Sequence, residues 1–221
     1  RAYYKNVKDI NGMIELHFVD EILPGYFWIF PLENGLANVG IGMVDKEMKK
    51  KKINLTKAMF NIIQNNPLFK ERFEGAELQP QTTKGWRLPV GSKRRKMHGG
   101  GFILVGDSAG LIDPFTGEGI ANAMLSGQIA SKWAIKALEK DDFSAEYLKG
   151  YENAVWEELG PKMKTSYRLQ RIGNIKFLTN MIIKKAARSS QIRAALKSMV
   201  DNIDDRNNIV NPMFYLKVLL A

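Results

Sequence analysis

The sequence predicts an α+β fold, an antiparallel sheet followed by helices, and three patterns carry that expectation. Apolar and polar residues alternate around Asn-Gly turns up to Met43. A loop punctuated by Gly and Pro then links a short apolar run to a helix of small residues. From Gly119 onward the apolar spacing is helical and stays so.

Composition narrows the class. A chain of 221 residues, 45% hydrophobic and 25% charged, has the balance of a globular protein. The absence of cysteine excludes a disulfide framework, a zinc-thiolate site and a cysteine nucleophile. It fits a reducing compartment, so a cytoplasmic location is expected, with peripheral contact at a membrane allowed. Apolar stretches end well before the roughly 18 to 20 residues of a membrane span, and no secretory signal is visible. Arg1 opens directly on a strand-like run, so the sequence reads as part of something longer.

The net charge is +10, and lysines and arginines cluster at Lys49–Lys52, at Lys93–Lys96 and along the C-terminal helices. A solvated basic surface, anionic lipid headgroups and nucleic acid are the three readings, the first ranked highest and nucleic acid not the expected partner.

The strands follow from alternation. Tyr3 to Val7 and Ile14 to Val19 read as a hairpin about Asp9-Ile10-Asn11-Gly12, with Ile14, Leu16 and Phe18 inward and Glu15 and His17 in water. Gly25 to Pro31 and Leu36 to Met43 read as a second hairpin about Glu33-Asn34-Gly35, for a sheet of about four strands. Lys57 to Asn65 is helical and stops before Pro67, and Leu68 to Phe73 reads as another short helical turn. Leu78 to Val90 is extended, a basic loop runs from Ser92 to Gly101, and Phe102-Ile-Leu-Val105 has the continuous apolarity of a buried strand. Helices are expected to about Leu138 and over Ala145 to Leu159, with Pro161 as a break and later breaks near Gly173, Ser189 and Asn207.

Chemistry concentrates between Gly100 and Ala123. A strand ending in Gly106-Asp107 places a carboxylate at a strand terminus, where an acceptor suits a sugar-type hydroxyl. Ser108-Ala109-Gly110 permits close backbone approach. Asp113-Pro114 and Thr116-Gly117-Glu118-Gly119 lead into a helix whose free N–H groups favour negative charge on a ligand. A bare Gly-Asp after an apolar strand would be only a capping turn; the ordered series is what points to a ligand.

That series resembles the second flavin fingerprint of the FAD-dependent hydroxylase and reductase superfamily, with Gly106, Asp107, Ala109, Gly110, Pro114, Gly117, Gly119, Ile120, Ala123 and Ser126-Gly127 in the pattern. The resemblance implies that Asp107 contacts the ribityl chain and that the backbone of Gly117-Glu118-Gly119-Ile120 faces the pyrimidine edge of the isoalloxazine.

Within that superfamily, Pro24-Gly-Tyr26-Phe-Trp28-Ile-Phe30-Pro31 resembles the Tyr-x-Trp-x-Phe-Pro signature of the geranylgeranyl reductase family, with Pro24 one position nearer the tyrosine than in the family pattern. Alternation puts Tyr26, Trp28 and Phe30 on one face, a flat apolar wall suited to a prenyl chain. Arg1-Ala-Tyr-Tyr4 and Gly85-Trp-Arg-Leu-Pro-Val90 also resemble that family, so the similarity runs from Arg1 to about Leu169.

The resemblance implies an FAD-dependent reductase of carbon-carbon double bonds in a prenyl or other long apolar substrate. A flavin monooxygenase or halogenase and a basic binding module are the alternatives. It also implies a substrate-domain sheet over 1–100, a flavin-edge segment over 101–160 and a C-terminal helical region over 161–221. No Gly-x-Gly-x-x-Gly opening a helix after a strand is present, so the chain by itself is expected to bind FAD weakly or not at all and to need an N-terminal FAD-binding half. No metal ligand set and no catalytic acid is identified; His17 and His98 read as surface histidines.

Overall fold

In the computed structural model, which describes residues 1–201, the Glu33-Asn34-Gly35 turn closes the hairpin its sequence promises. Asn34 and Gly35 take left-handed backbone (φ 58° and 70°), which these two residue types tolerate best. The turn joins β3 (Tyr26–Pro31) to β4 (Leu36–Gly42) with Trp28 opposite Gly40.

The first predicted hairpin does not form. β1 (Ala2–Lys5) pairs with β4 and with the short β5 (Glu77–Leu78), while β2 (Glu15–His17) pairs with β3, giving a five-stranded antiparallel sheet in the order β2-β3-β4-β1-β5. Gly12 does turn the chain (φ 78°), but Asn6 and Asp9 are also left-handed, and the connection lengthens instead of folding back.

The faces of β2 are reversed as well. Ile14, Leu16 and Phe18 are 70%, 51% and 58% exposed, whereas Glu15 and His17 point to the packed side. Arg72 makes the inversion tolerable, because its guanidinium holds both Glu15 carboxylate oxygens at 2.7 and 2.8 Å. His17 bonds Glu15 at 2.9 Å and stands edge-on to Phe69. A charged pair satisfied by a fork is compatible with an interior position; alternation alone does not reveal it.

On that packed side lie Phe27, Ile29, Ala37 and Val39, all fully buried, covered by α2 (Leu55–Asn65) through Met59 and Ile62. The Asn54 side chain accepts the Lys57 N–H at 3.0 Å, which starts α2 two residues before the expected point. α1 (Asp45–Lys50) precedes it, and residues 67–75 form hydrogen-bonded turns, with helix-type bonds from the Lys70 and Phe73 N–H groups to the Asn66 and Phe69 carbonyls. The chain divides into two compact units, Arg1–Trp86 and Arg87–Ala221, and these elements make up the first.

The second unit is mostly helical. Phe102 to Val105 is not a buried strand: β6 (His98–Gly99) and β7 (Phe102–Ile103) form a two-residue ladder, with Phe102 and Val105 exposed. Its core is Met97, Leu111, Tyr151, Val155, Leu159 and Met163, where α3 (Ile120–Lys140) meets α4 (Ala145–Gly173). α4 continues through Pro161, the expected break. Gly160 carries no Cβ for the proline ring to oppose, and buried Leu159, Met163 and Leu169 hold both halves to their neighbours.

α5 (Lys176–Arg188) and α6 (Ser190–Asp201) follow, with the breaks at Gly173 and Ser189 as expected. The break expected near Asn207 lies outside the described residues. His98 is buried, not at the surface, with Nε2 3.4 Å from Glu152. Glu152 also accepts from Arg94 Nε (2.9 Å) and the Met97 N–H (3.1 Å). Burial alone would raise the Glu152 carboxyl, but these bonds outweigh it and hold it below the usual range.

Candidate functional site

Two separate constellations carry the residues singled out by sequence, one in each unit.

In the first unit, period-two alternation places Tyr26, Trp28 and Phe30 on the face of the sheet opposite the core. Their rings run as a series, Trp28 being 5.9 Å from Tyr26 and 5.9 Å from Phe30, stacked on the latter at 29°. Pro31 ends the strand beside them. Trp28 lies flat because Gly40 leaves room; a Cβ there would stand 2.1 Å from the indole. Its Nε1–H donates to Asn38 Oδ1 at 3.1 Å, which fixes the ring.

The wall is wider than sequence reading gave. Leu16 pairs directly opposite Trp28 across β2 and β3, so exposed Leu16 continues the aromatic face, and the Phe18 ring is 6.4 Å from that of Tyr26. Assigning β2 the wrong inward face hid these residues; the signal was Arg72, a distant cation able to take Glu15 inside.

In the second unit, Gly106 (φ 54°) turns the chain out of β7 into a short 3-10 turn, Gly106–Ala109, that ends on Gly110 (φ 72°). The Gly106 N–H donates to Ser126 Oγ at 3.0 Å, and the Ser126 hydroxyl donates to Ala123 C=O, so a fully buried serine ties the turn to α3. Asp107 is exposed, and its Oδ1 lies 2.8 Å from where a Cβ on Gly119 would stand. The carboxylate therefore borders the N-terminal end of α3, where Gly119 offers no side-chain cap and Ile120 is 76% exposed.

Between them, Asp113 organises the loop. Its Oδ1 accepts the N–H groups of Phe115 and Thr116, both at 2.9 Å, and its Oδ2 accepts the Ser166 hydroxyl at 2.6 Å. Gln170 donates to the Pro114 carbonyl at 2.5 Å and Asn122 to the Leu111 carbonyl at 2.8 Å. The Asp113 N–H and Glu118 carbonyl close the loop at 2.7 Å, with Gly117 (φ 76°) at its tip.

The structure thus gathers Gly106, Asp107, Ala109, Gly110, Pro114, Gly117, Glu118, Gly119 and Ile120 into one braced loop. Its braces Ser166 and Gln170 come from α4, more than fifty residues away, where no local pattern marks them. An exposed carboxylate beside the amides of an open helix start can take a hydroxylated chain on one side and an electron-rich ring edge on the other.

Comparison with known proteins finds likeness to geranylgeranyl reductases and, in fold alone, to a flavin-dependent brominase. Residues 1–75 match the model of the geranylgeranyl reductase catalytic domain, the stretch that carries the aromatic wall. The chain is 35% identical over 157 residues to digeranylgeranylglycerophospholipid reductase 2 of Methanopyrus kandleri, covering 70% of this chain and 39% of that protein. It is 42% identical over 148 residues to the digeranylgeranylglycerophospholipid reductase of Methanocaldococcus jannaschii, covering 66% and 35%. The crystal structure of a geranylgeranyl bacteriochlorophyll reductase-like protein from Thermoplasma acidophilum is alike with a TM-score of 0.65 at 28% identity, covering 79% of this chain and 42% of that one. A flavin-dependent brominase shares the fold alone, with a TM-score of 0.52 at 19% identity. The chain spans less than two-fifths of the length of either reductase from the methanogens.

Proposed function

The chain belongs to the geranylgeranyl reductase family, and from that premise we propose that it is part of an FAD-dependent enzyme that reduces carbon-carbon double bonds in a prenyl or other long apolar substrate. The observation that carries this reading is the half-buried aromatic face of Tyr26, Trp28 and Phe30, widened by exposed Leu16, on a sheet whose other face is fully packed. A globular domain has little reason to hold such a face in water unless an apolar partner covers it.

The loop from Gly106 to Ile120 fits the ring side of a flavin. Asp107 would take the ribityl hydroxyls, and the backbone from Gly117 to Ile120 would border the pyrimidine edge, where the start of α3 favours the negative charge of the reduced ring. Bound and reduced, FAD would supply the hydride, and a proton from solvent would complete each saturated bond. The protein binds and orients the substrate and keeps water from the apolar face. The adenine side has no counterpart among these residues. We assign it to an N-terminal half, which would also cover the exposed Phe102, Val105 and Ile120.

The test is mass spectrometry of a geranylgeranyl lipid incubated with the full-length protein and a chemical reductant. Saturation adds H2 per double bond. Trp28→Ala strips contact from roughly one isoprene unit, about 2 kcal/mol, and should lower kcat/KM about 30-fold. No saturation by the wild type, or an unchanged kcat/KM in the variant, contradicts the reading.

A further inference from the structure

The chain's charge is unevenly placed. Ten of its 33 Lys and Arg, and none of its 23 Asp and Glu, lie in residues 160–200, so the rest of the chain is balanced at 23 of each sign. The entire net charge of +10 therefore resides in that stretch, which forms the end of α4, α5 and α6.

Several basic residues elsewhere have internal partners, and within the stretch Arg193 donates to the Ala186 and Ala187 carbonyls. Arg72 is held by Glu15, Arg94 by Glu152 and Asn153, and Arg95 by the Val90 carbonyl. In α5 and α6 the inner faces meet through Met181, Ile182, Ala186, Ile192 and Leu196. The opposite stripe of α5 holds Phe177, 74% exposed, and Ile183, 46% exposed, with exposed Lys184 and Arg188 at helical spacing. Ile175 leads into it, and exposed Tyr167, Arg168 and Arg171 lie on the last turns of α4.

An exposed phenylalanine and isoleucine set among cations, with no acidic residue in forty positions of sequence, match an anionic lipid surface. A phosphate backbone of nucleic acid would complement the cations but leave Phe177 and Ile183 without a partner. We propose that α5, with the end of α4, docks the protein on an anionic bilayer. Phe177 and Ile183 enter the acyl boundary, and Lys184 and Arg188 meet headgroup phosphates. A bilayer is where a prenyl lipid resides, so the proposal deepens the reductase reading, although the charge and exposure that carry it do not depend on that reading.

The test is flotation of the full-length protein with vesicles of phosphatidylcholine alone or mixed with phosphatidylglycerol, at low and high salt. Binding to the anionic vesicles, weakened by salt, is expected. Lys184→Gln with Arg188→Gln should lower partitioning about 25-fold, at about fivefold per cation. Phe177→Ser, at an exposed position, should lower it independently, with circular dichroism confirming that both variants fold. Equal binding to neutral vesicles, no binding, or partitioning unchanged in both variants overturns the proposal. Tighter, salt-sensitive binding to duplex DNA than to anionic vesicles also overturns it. Flavin colour and double-bond saturation, read on the same preparations, fail only if the reductase reading fails.

Discussion

Adding one methyl group at Gly40 perturbs the aromatic wall at its support. A Cβ there would lie 2.1, 2.4 and 2.7 Å from three Trp28 ring atoms, where carbon contacts settle at about 3.5 to 4.0 Å. The indole must retreat by about 1.5 Å to restore that spacing, and its 3.1 Å bond to Asn38 is lost. Overpacking costs about 1 to 3 kcal/mol and the hydrogen bond about 1 kcal/mol. Trp28 is only half-buried, so it has room to lift. Gly40→Ala should therefore destabilise the chain by about 2 kcal/mol in urea unfolding followed by circular dichroism. In a Trp28→Ala background the same substitution should cost nothing or stabilise by about 0.5 kcal/mol, since alanine suits a strand better than glycine. An equal loss in both backgrounds, or none in either, refutes the argument that Gly40 exists to seat Trp28.

Other consequences are as direct. The Arg72 hydrogen bonds hold the Glu15 carboxyl below its usual range, so the stability it contributes is complete above the ordinary carboxylate pKa and lost as pH falls through the depressed one. Arg72→Met should cost on the order of 3 kcal/mol at neutral pH and flatten the pH dependence of stability below about pH 5, read from melting temperatures across that range. Asp113→Ala removes the acceptor for Phe115, Thr116 and Ser166. It should loosen the loop by about 2 to 4 kcal/mol, seen as faster amide exchange at Phe115 and Thr116 with α2 unaffected.

Legibility in the sequence followed the range of the forces involved. The β3–β4 hairpin was readable because Asn34-Gly35 fixes the turn locally, and the face of Tyr26, Trp28 and Phe30 because alternation has a period of two. β2 was misread because Arg72, fifty-seven residues from Glu15, decides which side of it is inside. Pro161 was misread because buried Leu159 and Met163 override a local break. The loop from Gly106 to Ile120 was legible as a series of glycines and an aspartate. Its braces on α4 were not, because a serine and a glutamine in a helix look like any surface pair until the fold brings them to Asp113 and Pro114.

Asp107 beside the open start of α3 is the residue on which the proposed flavin binding depends. The most direct measurement is the visible absorbance of the full-length protein, with the released cofactor identified after denaturation. A yellow protein that releases FAD is expected, and a folded but colourless Asp107→Ala variant. A colourless wild type that added FAD cannot restore, or an Asp107→Ala variant that keeps its flavin, would contradict it.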